Sequence, residues 1–278
     1  VEHATVLSRE NPTGLLIIGD RYDMLGPVLS AKIMNLPMFH IQGGETSGTI
    51  DDTVRDLITR CSTRHYTSTF KSYERVKHIV GNDGVFYTGC PAVESLVDME
   101  IPKRLHVEKF HKHFKDSFDL EPGEPYFIVV AHPDTTNAKD IDMGCLLDAV
   151  ISFGYKCIVL HPNIDAHREQ ISKDIRRHKD KIVCISHAPI EDFVQLMANS
   201  SCMIGNSSAG IREAPSFKVP VVNVGERQRG RERNSNTFDT KCEYNDIRQA
   251  ITDALSSELS ADNIYHKKGS IDFISKDI

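Results

Sequence analysis

The chain has 278 residues, 40% of them hydrophobic and 26% charged, with a formal net charge of −6. That acidic balance argues against nucleic acid as the main partner, and no run of 18 apolar residues offers a membrane span. The seven cysteines are scattered with no C-x-x-C pair, the pattern of reduced thiols in a cytoplasmic protein rather than of a zinc site or a disulfide framework.

A polar, helix-like opening, "VEHATVLSRENP", runs straight into "GLLIIGD" at 14–20, which reads as a buried strand. The first residue is Val1 rather than Met, and the expectation is that the sequence starts inside a fold whose earlier part lies upstream. A helix at 24–35 and the strand "PMFHI" follow. Ile50, Val54, Leu57 and Ile58 then form one stripe of a helix, with Thr49 and Asp52 spaced as a capping box. The strands "RHYTSTF" and "GVFYTGC" flank a polar helix at 72–81. Residues 102–125 are polar and charged, contain no strand and mark a boundary. Beyond it, strands "YFIVVAH", "YKCIVLH", "KIVCIS", "SCMIGN" and "VPVVNVG" alternate with helices at 142–154, 168–178, 190–200 and 211–217. Such alternation means parallel sheets of right-handed βαβ units. The expected organisation is two Rossmann-like doubly wound α/β domains. These are a partial one at 1–103, a second at 104–265, and a segment at 266–278 returning to the first.

Ligands of such sheets bind beyond the carboxyl ends of the strands, and there the sequence is rich in chemistry. Asp20, Arg21 and Asp23 follow the first strand; His40, Gln42 and Glu45 follow the second; His132, His161 with Asn163, Asn206 to Ser208, and Glu226 with Arg227 follow later ones. In "MIGNSSAGIREA" (203–214), small residues admit a close backbone approach, and Ser207 and Ser208 add hydroxyls at a helix start. A bound phosphate and a plain helix cap explain that junction equally well. Glu213 would repel a phosphate but suits ribose hydroxyls. The carboxylates and imidazole around 20–52 can move protons; a Mg²⁺ or Mn²⁺ site is the rival reading, disfavoured by the lack of tight ligand spacing. Arg55 lies one turn from Asp51, where an ordinary helix ion pair is the simpler account. His132 precedes a proline, which holds it extended, and a structural histidine is its default. Phe193 reads first as core, and second as a ring stacked on a base.

Taken together, "GDRYD", "HIQGGETSGTIDDTVR", "HPDTT", "HPNIDA" and "CMIGNSSAGIRE" resemble the hydrolysing UDP-N-acetylglucosamine 2-epimerases. The likeness is strongest to the epimerase part of the bifunctional epimerase/N-acetylmannosamine kinase of sialic acid synthesis. The resemblance implies a glycosyltransferase-B-like fold, no cofactor and no metal. UDP is eliminated across C1–C2 to a glycal, and water addition then releases N-acetylmannosamine. By motif, Ser207, Ser208 and Glu213 would hold the diphosphate and ribose, Phe193 would lie against uracil, and Arg227 would assist the nucleotide. His132 would face the phosphate or leaving group, and Asp20, Asp51 and Arg55 would surround the sugar. Gln42 stands where relatives often carry a catalytic glutamate; an amide cannot abstract a proton, and Glu45, three residues on, is the candidate to serve instead. The resemblance also implies a homodimer or homotetramer and a CMP-sialic acid feedback site involving Lys173 and Arg176, against which stands a plain solvated helix face. Competing functions are the same elimination on UDP-diacetylbacillosamine, a non-catalytic UDP-sugar-binding paralogue, and a retaining glycosyltransferase.

Overall fold

The computed structural model describes residues 2–99, 101, 120–121, 123–133, 141–162, 168–186 and 188–278, and resolves the apolar runs into two parallel sheets. Internal contacts divide the chain into two units, Val1–Asp98 with Ile264–Ile278, and Met99–Asn263. Most of the charged stretch at 102–125 lies outside the described residues, as do Asp134, Asn163 and the rest of "DTT" and "NIDA".

The first unit opens with α1 (Glu2–Glu10), β1 (Leu15–Ile18), α2 (Leu25–Ile33), β2 (Met38–Ile41) and α3 (Asp51–Cys61). It continues with β3 (Arg64–Thr67), α4 (Phe70–Val80), β4 (Val85–Tyr87) and α5 (Pro91–Val97). Its sheet has the order β1-β2-β3-β4. The α3 stripe is half borne out: Val54 and Ile58 pack with Ile17, Val28, Ala31 and Met38, whereas Ile50 and Leu57 are 58% and 47% exposed. Two readings change. Strand β1 is a sheet edge rather than a buried strand, so Leu16 and Ile18 are 46% and 56% exposed. The capping box is replaced by a wider device. Asp52 accepts from the N–H groups of Ser47 (2.7 Å) and Gly48 (2.9 Å), while the Thr49 hydroxyl accepts from the Asp51 N–H at 3.3 Å.

The second unit runs β5 (Tyr126–Val130), α6 (Met143–Ile151), β6 (Lys156–Leu160), α7 (Arg168–Arg177), β7 (Val183–Ile185) and α8 (Ile190–Asn199). It ends with β8 (Cys202–Gly205), α9 (Ser208–Arg212), a 3₁₀ turn at Ala214–Phe217, β9 (Val221–Val224), β10 (Thr237–Thr240) and α10 (Tyr244–Leu255). The chain then returns to the first unit with α11 (Ser270–Asp277). The expected helix over 211–217 breaks after Arg212 because Pro215 has no N–H to continue it. Strand β10, a mostly polar sheet edge, has no apolar signal and escapes the sequence reading.

Sheet order in this unit is β7-β6-β5-β8-β9-β10. Counted within the unit this is 3-2-1-4-5-6, the order of dinucleotide-binding folds, whose crevice opens where the winding reverses. That point lies between β5 and β8, with β5 buried along its whole length. Among the described residues no helix is long and apolar enough to cross a membrane.

Candidate active site

In the first unit the polar residues converge on Arg55, which is only 2% exposed. Its Nη2 pairs with Asp20 from the β1 exit. Its Nη1 donates to the Glu45 carbonyl at 2.6 Å and to Asp52 Oδ1 at 3.1 Å. The ion pair within α3 therefore runs from Asp52, not from Asp51 as the spacing suggested. Burial pushes the Asp52 carboxyl upward, but the Ser47 and Gly48 N–H groups, the Ser47 hydroxyl and Arg55 outweigh it and hold it below the ordinary carboxylate value. The loop at 43–48 is thereby tied to one helix turn.

Glu45 is buried on that loop, and its Oε1 accepts from the Ser68 hydroxyl at 2.7 Å. Asp51 is half-buried at the first position of α3. Gln42 has φ +69°, a left-handed conformation uncommon outside glycine, and its Nε2 lies 3.6 Å from Cys90 Sγ. Arg21 stands on the surface in an ion pair with Asp23.

His40, expected to meet a ligand, is instead fully buried. Its Nε2 lies 2.9 Å from the Gly19 carbonyl and its Nδ1 3.1 Å from the Thr59 hydroxyl. A carbonyl only accepts, so Nε2 carries the proton and Nδ1 accepts from Thr59. Burial lowers the His40 pKa to about 4, and burial alone does the same to its cross-strand neighbour His65.

Folded, both rings stay neutral down to about pH 4; unfolded, they protonate near 6.5. The unfolded chain therefore binds more protons in that window, and stability is lost as pH falls from about 6.5 to about 4. Each ring accounts for on the order of 3 kcal/mol. In His65→Phe, urea denaturation at pH 7 and 4.5 should show about half the wild-type acid loss. An unchanged loss would remove His65 from the account.

In the second unit Asn206 latches the crevice at the β5–β8 reversal. Its Oδ1 accepts from the His132 N–H at 2.7 Å, and its Nδ2 donates to the His132 carbonyl at 2.8 Å. Arg227 Nη1 and Gln228 Nε2 donate to the Asn206 carbonyl at 3.0 and 3.1 Å. The exits of β5, β8 and β9 are thus held by one side chain and its own carbonyl. Gly205 is required here: at φ +134° a Cβ would run into the Val130 carbonyl. Gly210 lets α9 close on β9, since a Cβ would sit 2.7 Å from Val221 Cγ1.

Ser207 is the N-cap of α9, its Oγ accepting from the Ala209 N–H at 3.3 Å. Ser208 is the first helical residue. With five residues, α9 is too short for a developed dipole, so any anion there would rely on local N–H and O–H groups. Glu213 is half-buried beyond the helix end, its Oε1 3.8 Å from Arg212 Nη2. Phe193 packs half-buried against the core cluster of Leu196 and Met203, in keeping with the core reading.

Four residues outside the list of expected ligands and catalysts organise these sites: Asn206, Asp52, Ser68 and Gln228. Asn206 and Asp52 already stood out by their place at a strand exit and a helix start, whereas Ser68 and Gln228 did not. Their partners, distant in sequence, did not either.

A unit with a Rossmann-type crevice that has Gly205, Ser207, Ser208 and Glu213 at its reversal point, and a second unit with a parallel sheet rich in strand-end carboxylates, define a glycosyltransferase-B-like α/β protein. The UDP-N-acetylglucosamine 2-epimerase family model matches residues 1–273, and the chain belongs to that family. It is 30% identical over 266 residues to a hydrolysing UDP-N,N'-diacetylbacillosamine 2-epimerase of Legionella pneumophila, covering 94% of this chain and 69% of that protein. It is also 30% identical over 276 residues to the polysialic acid biosynthesis protein P7 of Escherichia coli, covering 92% of this chain and 67% of that one. The fold matches that of Methanocaldococcus jannaschii UDP-GlcNAc 2-epimerase, solved with UDP-GlcNAc and UDP (TM-score 0.75, 18% identity, 99% of this chain and 78% of that one).

Proposed function

We propose that the protein is a hydrolysing UDP-N-acetylglucosamine 2-epimerase of the cytoplasm, acting in sialic acid precursor synthesis. It removes UDP by elimination across C1–C2 and adds water to the glycal to release N-acetylmannosamine. The observation that carries this reading is Glu45, a buried carboxylate held by Ser68 and anchored through its carbonyl to Arg55. In this reading it acts where Gln42 cannot.

In this reading Glu45 takes the C2 proton, and electrons from the C–H bond form the C1=C2 bond as the C1–O bond to UDP breaks. Asp20, Asp51 and Arg55 position the sugar, with Arg21 and Gln42 at its edge, and His40 keeps the loop behind them in register. His132 faces the departing phosphate. Ser207, Ser208, Glu213, Arg227 and Phe193 receive the nucleotide. Water then adds at C1 and a proton returns to C2 on the opposite face.

The test is incubation of the protein separately with UDP-N-acetylglucosamine and UDP-N,N'-diacetylbacillosamine, following UDP and free amino-sugar. Release only from the second sugar selects the other substrate, which the likeness to the Legionella enzyme supports. Release from neither, with UDP still bound, leaves a binding paralogue. Light scattering of the same preparation tests the dimer or tetramer that this reading includes.

A feedback ligand of CMP-sialic acid type belongs to the same proposal. Its support is a cavity of about 640 Å³ in the second unit, lined by His161, Pro162, Glu169, Ser172, Lys173, Arg176 and Ser186, with two cations against one carboxylate. Lys173 and Arg176 lie one helical turn apart and can grip one anion. Lys173→Ala with Arg176→Ala should raise the inhibitory concentration of CMP-sialic acid at least tenfold with uninhibited turnover unchanged. Unaltered inhibition would assign the pair to a solvated helix face.

A further inference from the structure

A second cavity, of about 420 Å³, lies wholly within the first unit, where β4 ends and the loop into α11 begins. We infer that it is a binding site for a planar aromatic anion of the nucleotide type, its ring among Tyr73, Phe86, Tyr87 and Phe273 and its phosphate on Lys267 and Lys268.

Aromatic rings supply most of the wall, and they come from three elements: Tyr73 from α4, Phe86 and Tyr87 from β4, and Phe273 from α11. Phe273 is 43% exposed although it touches Phe86, with centroids 5.2 Å apart. The two lysines supply the charge. Lys267 Nζ sits 4.4 Å from the Tyr87 ring centroid and donates to the Tyr87 carbonyl at 2.7 Å. Covering that carbonyl blunts the open edge of β4, which gives Lys267 a structural reason to be there. It gives none for Lys268, which has no ion-pair partner among the described residues.

The nearby carboxylates are already committed. Glu94, 5% exposed, accepts from the N–H groups of Gly269 and Ile271. Asp277 is held by Tyr66 and Arg64, and Glu74 by Lys77. The lining itself carries two cations and no carboxylate. The lysine loop is also pre-organised. The Cys90 N–H donates to the Tyr265 carbonyl at 2.8 Å, and Gly89 packs so tightly that a Cβ would sit 2.8 Å from the Lys267 nitrogen. A rigid, positive, ring-lined cavity of this size suits a stacked base with a phosphate better than a sugar or a metal ion.

This site does not depend on the epimerase reading. Phenyl phosphate is the probe, titrated calorimetrically into the full chain. Its 1:1 binding should be at least tenfold tighter than that of inorganic phosphate or benzyl alcohol, and UMP should displace it. Lys267→Met with Lys268→Ser should weaken it about tenfold, and Tyr73→Leu several-fold. Ser208→Ala should leave it unchanged, which separates this cavity from the nucleotide site proposed in the second unit. Both lysines are exposed, so an unaltered thermal transition is the fold control for that variant. No measurable binding, equal binding of inorganic phosphate, indifference to the double variant, or failure of UMP to compete would each overturn the inference.

Discussion

Glu45→Gln should slow UDP release by about 10²–10⁴-fold, the usual cost of losing a positioned acid or base, while UDP affinity changes by less than about twofold. The amide keeps an oxygen to accept from Ser68 and leaves the Glu45 carbonyl on Arg55 untouched, so the loop geometry survives. What it loses is the ability to take a proton. A variant with low kcat and unaltered nucleotide binding has lost an interaction made in the transition state alone. The companion measurement is deuterium exchange at C2 of the substrate in D₂O, which should fall in parallel. Gln42→Glu should change the rate by less than about tenfold, because the residue is bent into a left-handed conformation with its amide on Cys90. If Glu45→Gln keeps its rate and Gln42→Glu gains more than tenfold, the base belongs at position 42.

The parts of this architecture legible in the sequence are those governed by local physics. Apolar runs such as "YFIVVAH" became parallel strands because both faces of a doubly wound sheet are buried, and the stripe of Val54 and Ile58 became the buried face of α3. The strand ends were legible too, which is why the candidate residues cluster at the exits of β1, β2, β5, β8 and β9.

What stayed hidden depends on pairing across the sheet. "LLII" reads as a buried strand, and only the sheet order makes it an edge. His40 looks like a ligand at a strand exit until Gly19 and Thr59 take both ring nitrogens. Asp51 looks like the partner of Arg55 by helical spacing, yet the helix turn and the 43–48 loop deliver Asp52. Asn206 is one polar residue between a glycine and a serine in sequence, and the latch of the crevice in three dimensions.

Arg55→Met should destabilise the first unit by about 3 kcal/mol in urea denaturation, near the low end of the cost of breaking a buried ion pair. The low end applies because Asp52 keeps the Ser47 and Gly48 N–H donors, whereas Asp20 loses its guanidinium. If uncompensated charge is the cause, adding Asp20→Asn should recover part of the loss. If lost packing of the arginine stem is the cause, the second substitution should recover nothing. The acid limb offers an independent check. Asp52 is held below its ordinary value of 3.8, so its stabilising effect is complete above that pH and is lost as pH falls toward the lower folded value. Removing Arg55 withdraws one of the groups that depress it but not the largest, so the slope below pH 4 should become shallower without vanishing. Turnover should fall as well, and further than stability explains. The guanidinium that pairs with Asp20 also holds the carbonyl of Glu45, and a base displaced by even an ångström loses much of its rate.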